Sequence, residues 1–159
     1  MSDNNWETQP RKDNGEFTFR YEFWKKKLEA MEAANANPEV SKNYDGGSYC
    51  ELRKRYAGNA NIEVHHMPAD SASYLSKRTG PCIAMDKADH EKTSSYKSSA
   101  RSKRYRKRQK QLIDANQFLA AQEMDFTNLL RKTKLKYVKA MLEKLEYDKK
   151  LYDDGVIDG

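Results

Sequence analysis

Cysteine is scarce in this chain. With Cys50 and Cys82 alone, neither a disulfide-stapled scaffold nor a Cys-only zinc site of the CxxC…CxxC kind can be built, and both are read as packed thiols. Long apolar runs are absent as well. No segment approaches the roughly 20 residues that a membrane-spanning helix needs, and MSDNNWETQPRKDNGE at the start has no apolar region of a secretory signal. No membrane insertion is expected, and any export would depend on something outside these residues. Apolar residues make up 37% of the sequence against 34% charged, a lean ratio that implies a small core.

What is there is basic. A chain of 159 residues fits one compact domain better than two. Its formal net charge of +6 favours a polyanionic partner: nucleic acid, an acidic protein or an anionic membrane. Charge alone does not choose among them.

Residues 1–16 are polar and hold Pro10 and Gly15, the composition of a flexible leader. Tyr21, Trp24, Leu28 and Met31 then recur at spacings of three and four, which predicts a helix with one apolar stripe against the core. NANPEV and NYDGG, between Asn35 and Gly47, carry turn chemistry. NIEVHH (61–66) reads as a short strand and GPCIAM (80–85) as a second, joined by a polar loop longer than a hairpin turn. Asp86 opens a helical stretch, DKADHEKTSSY, with carboxylates in its first turn. From Ser98 to Lys150 the chain reads as almost wholly helical, with Leu135, Val138, Leu142 and Leu145 as a stripe near its end. The fold class expected is α+β, mainly helical. Its parts are a leader (1–16), an N-terminal helix with its connection (17–60), a strand–loop–strand–helix unit (61–96) and basic then amphipathic helices (97–159), within one globular domain.

His65, His66 and His90 are the only histidines, and all three fall in the strand–loop–strand–helix unit. Two close a strand and one sits on the following helix, so the fold can bring them together. Imidazole and carboxylate suit a divalent ion such as magnesium, manganese, zinc or nickel, with water completing its shell. Adjacent strand residues point to opposite faces, which favours a division of labour in which one histidine ligates and the other works as a base. An imidazole with a pKa of ~6.5 can take a proton from water at neutral pH. Asp86 stands four residues before His90, a spacing that puts both on one face of a helix.

EVHHMPADSAS, followed by GPCIAMDKADHEKTSS, YRKRQKQLI, AAQEMDF and KYVKAML, resembles the HNH/endonuclease VII superfamily of toxin nucleases distinguished by one glutamate and three histidines. The resemblance covers roughly Asn61 to Tyr147. It implies a ββα metal-finger (HNH-like) core with added N- and C-terminal helices. It further implies a domain of bacterial polymorphic toxin systems, delivered by secretion machinery into the cytoplasm of a competing bacterium and neutralised in the producer by an immunity protein. Carried over by the same resemblance, His66 takes the place of the general base and His65 and His90 the place of metal ligands, with Glu63 as ligand or orienting partner. No asparagine stands between the strand histidines and His90, so Asp86 or Asp89 is expected to fill that place, Asp86 being favoured by its spacing.

An acid-free basic tract follows: Lys97, Arg101, Lys103, Arg104, Arg106, Lys107, Arg108 and Lys110. A solvated helix face accounts for such a run in isolation. Beside a phosphodiester-cleaving site it would neutralise phosphates on either side of the cut. Tyr96, Tyr105 and Tyr137 are read as packing residues, and Thr93 and Ser94 as helix or surface positions. The function expected is a metal-dependent endonuclease toxin acting on DNA with little sequence preference, with an acidic immunity protein as partner. The alternatives are a ribonuclease toxin using the same site and a non-catalytic nucleic-acid binder whose histidines, with Cys82, hold a structural ion.

Overall fold

The computed structural model describes residues 15–158, so the expected leader lies outside the described residues except for Gly15 and Glu16. The first apolar stripe is realised in α1 (Glu16–Ala33), where Phe17, Tyr21, Trp24 and Leu28 are buried at helical intervals. Met31 packs only partly against the core. Phe17 stacks on Tyr152 with ring centroids 3.9 Å apart, and Trp24 meets Phe126 at 5.0 Å. The indole N–H of Trp24 donates to Glu123 at 2.7 Å. Full burial of a Phe or Leu side chain contributes roughly 1.5–3 kcal/mol, so these few contacts tie α1 to the C-terminal helices.

The connection holds more structure than its turn chemistry announces. Pro38 starts a one-turn helix, α2 (Pro38–Ser41); β1 (Gly46–Ser48) and α3 (Tyr49–Arg55) follow, the latter capped by Ser48, whose hydroxyl accepts from the Glu51 N–H at 3.2 Å. The two expected strands are β2 (Ile62–His66) and β3 (Pro81–Asp86). They pair antiparallel, with His65 opposite Ile83 and His66 opposite Cys82. β1 pairs with the other edge of β3, which gives a three-stranded sheet in the order β1-β3-β2. Central β3 is buried at its first five positions, which is why it reads as a continuous apolar run.

The stretch after β3 departs from expectation. Only one turn, α4 (Lys87–His90), is helical, and Asp86 ends β3 as the residue before that turn. The almost wholly helical stretch expected over 98–150 is three helices: α5 (Ala100–Asp114), α6 (Phe118–Thr133) and α7 (Val138–Asp153). Neither Gly nor Pro marks the breaks. Asn116 and Lys134 carry them at φ 62° and 57°, a conformation that asparagine tolerates and lysine seldom adopts. The stripe near the end is correspondingly different. Leu135 precedes α7 and Leu142 is partly buried, while Val138, Met141 and Leu145 are fully buried together with Lys144 and Asp148.

α7 packs against β1 and β3 and fixes Gly46, where an added Cβ would come within 2.1 Å of the Ala140 carbonyl. One buried apolar cluster runs through α1, the strands and α5 to α7, joining the expected segments. The fold is therefore α+β and predominantly helical. Among the described residues no helix is long and apolar enough to cross a membrane.

Candidate functional site

Strand alternation places Glu63 and His65 on one face of β2 and His66 on the other. His65 is buried, 4% exposed, and its ring lies 4.8 Å from that of His90, which α4 brings alongside. His90 Nδ1 is 2.6 Å from Glu63 Oε1. In this contact Nδ1 is the donor and the Glu63 carboxylate oxygen the acceptor. That carboxylate–imidazole contact is the arrangement that orients a metal-ligating histidine. Tyr96 closes on His90 edge-to-face at 4.8 Å.

His66 is held from three sides. Its Nε2 donates to the Lys77 carbonyl at 3.0 Å, leaving the lone pair on Nδ1. Tyr49, the first residue of α3, stacks on the ring at 4.8 Å and 20°. Gly80 supplies the third wall, for a Cβ there would sit 2.7 Å from His66 Cδ2. All three histidines border one hollow of about 470 Å³, together with Tyr49, Lys77, Lys97 and Arg106.

Burial, reinforced by His90 and His66, holds the His65 imidazole well below its ordinary range. Burial also lowers His66, against the opposing pull of the Lys77 carbonyl. Both rings are therefore neutral at pH 7, the form that can bind a metal or accept a proton.

Asp86 and Asp89 do not line the histidine hollow. Lys136, in the turn between α6 and α7, reaches Oδ2 of both at 2.7 Å. Tyr44 donates to Asp86 at 2.8 Å and Tyr137 to Asp89 at 2.6 Å. Against the upward push of burial, Lys136 and Tyr137 hold the Asp89 carboxyl below its ordinary value. The expected helical face shared by Asp86 and His90 fails because Asp86 belongs to the strand. These two carboxylates instead form an ion cluster with Lys136.

Among the described residues no three His, Cys, Asp or Glu side chains stand grouped as a ready-made metal site. The donors present still fit a hydrated divalent ion: two imidazoles, His65 and His90, the second oriented by Glu63. Cys82 does not join them. Its thiol is fully buried and donates to the Gly80 carbonyl at 3.4 Å, and burial raises it well above the ordinary thiol range. Cys50 is partly buried and accepts from Arg78 at 3.1 Å.

The basic tract is mostly α5. Arg101, Lys103, Arg104, Lys107 and Arg108 are exposed, while Ser102, Gln109 and Ile113 face inward. Arg106 differs: its Nη1 donates to the Ser95 and Lys97 carbonyls, both at 2.7 Å, pinning the turn between α4 and α5 at the edge of the hollow. Tyr105 and Tyr137 are engaged with Asp125 and Asp89. Thr93 donates to the His90 carbonyl at 2.8 Å, and the Ser94 hydroxyl accepts from Asn128 at 2.8 Å.

Tyr49, Lys77, Gly80 and Lys136 escaped the sequence reading. Tyr49 lies in an element too short to announce itself, and Lys77 acts through its carbonyl, which no side chain advertises. A glycine just before a buried strand is the one signal that could have pointed to a close approach. Compared with known proteins, the chain matches no family model, no curated protein and no solved structure.

Proposed function

We propose that this protein is a metal-dependent nuclease of the HNH type, in which β2, β3 and α4 serve as the ββα metal finger and DNA is the substrate. The observation that carries this reading is the convergence of three histidines on one hollow rimmed by Lys77, Lys97 and Arg106. A divalent ion held by His65 and His90, when bound, would polarise the scissile phosphate and stabilise charge on the departing oxygen. Glu63 orients His90. His66, kept in one tautomer by the Lys77 carbonyl and in one plane by Tyr49, takes the proton from the attacking water at Nδ1. The exposed face of α5 neutralises flanking phosphates without reading base sequence.

The sequence resemblance extends this to a toxin delivered by secretion machinery into the cytoplasm of a competing bacterium. An acidic immunity protein would cover the basic face, since opposite charge speeds and orients such encounters. The experiment is a plasmid-nicking assay beside a total-RNA assay, with and without EDTA. His66→Ala is expected to lower cleavage by at least about 10²-fold, with the circular dichroism spectrum unchanged. Undiminished, EDTA-insensitive cleavage by that variant overturns the proposal, and cleavage confined to RNA reassigns the substrate.

A further inference from the structure

Beside the histidine hollow lies a second, of about 520 Å³, walled by α3 and the turn after it on one side and by Ile62, Glu63 and His90 on the other. The two share Tyr49, Val64 and His90. They adjoin along β2, an edge strand, with His90 at the junction and His65 and His66 on the side of the first hollow.

Four cations border the two hollows: Arg53 in the second, and Lys77, Lys97 and Arg106 in the first. Elsewhere, basic side chains such as Arg20, Arg55, Lys136 and Lys139 each engage a carboxylate. Among the described residues none of these four does. Arg53 and Lys77 stand instead over the Tyr49 ring, 5.8 and 5.3 Å from its centroid. An aromatic face holds a cation in place without neutralising it, so its charge stays available to an outside anion. The acidic group in the second hollow, Glu63, is already bonded to His90. What the second hollow offers a ligand is therefore a guanidinium, whose fork matches two phosphate oxygens, beside aromatic walls.

We propose that the second hollow is a nucleic-acid subsite that seats the part of the strand next to the scissile phosphate, with Arg53 gripping a phosphodiester there. This rests on the nuclease reading and goes beyond it. The substrate strand is held from both sides of the histidines, by α5 at one end and α3 at the other, rather than by the basic tract alone.

The test is fluorescence anisotropy with a labelled DNA oligonucleotide of about 16 nucleotides, a span that occupies an extended groove. The full chain is used, with EDTA present to hold back cleavage, over a series of salt concentrations. Arg53→Gln is expected to weaken binding about 5-fold at moderate salt and to reduce the slope of log K against log salt by about one. Arg53→Lys should keep the slope. Arg55→Gln, which removes a cation already paired with Asp45 at 3.3 Å, should leave both quantities within about twofold of wild type. Arg53 is exposed, so its replacement does not endanger the fold. If wild type binds no oligonucleotide, the nuclease reading fails and the subsite with it. If wild type binds and Arg53→Gln matches it in affinity and salt slope, the subsite alone is overturned.

Discussion

The two sides of α4 carry the same kinds of side chain and use them in opposite ways. On one side Asp86, Asp89, Lys136, Tyr44 and Tyr137 satisfy one another, each carboxylate receiving a lysine and a tyrosine. On the other, three histidines meet cations that have no carboxylate partner among the described residues, around one hollow. A set in which two carboxylates share one lysine and each accept from a tyrosine hydroxyl holds α4 to the turn before α7. A set left incomplete by the protein is completed from outside. On the proposed reading, the difference separates a structural carboxylate from a functional imidazole, although Asp89 and His90 are neighbours in sequence.

A second closed set tests the comparison most strongly. Asp125 is buried and bonded to the Tyr105 hydroxyl at 2.8 Å and the Gln109 amide at 2.7 Å. Burial raises its carboxyl to about 7, with Tyr105, Gln109 and Lys144 opposing. A carboxyl whose folded value is raised retains its proton in the native state while the unfolded chain has already released it. Its contribution to stability is therefore whole below the unfolded value of about 4 and is lost as pH rises through the folded value. Between those limits the loss approaches about 1.4 kcal/mol per pH unit. Asp125→Asn should remove that slope, so that thermal melts at pH 4.5 and 7.5 narrow the gap between variant and wild type at the higher pH. A gap independent of pH would show that Asp125 does not titrate in the native protein.

Lys136→Met is the smaller perturbation. It leaves two carboxylates facing each other without their cation, and a loss of about 1 kcal/mol is expected because the cluster is partly exposed. Melting should shift down while plasmid cleavage at low temperature stays near wild type. Cleavage that fails with the fold intact would move Asp86 and Asp89 into the functional set.

Much of this arrangement was legible in the residues. The apolar spacing of α1 and the two strands came through because periodicity records which face is buried. The histidine cluster came through because a strand end and the next helical turn are close in sequence. Asp86 was misplaced because its spacing to His90 suits a helix, and the decision to keep it in β3 is made by pairing with Ile62 and by Lys136, which lies 50 residues further on. The breaks at Asn116 and Lys134 were hidden for a related reason: tertiary packing imposes them on a stretch whose local propensity is helical throughout. Tyr49 and Gly80 gain meaning only from the ring of His66, which long-range pairing sets between them.

In the proposed nuclease His65 and His90, not the two aspartates, bind the cation. Isothermal titration of Mn²⁺ or Ni²⁺ into the protein at neutral pH tests it directly. One ion per chain is predicted, with affinity reduced at least about 10- to 100-fold by His90→Ala and unchanged by Asp86→Asn. Absence of binding to wild type, or loss of binding on Asp86→Asn with none on His90→Ala, would contradict the account.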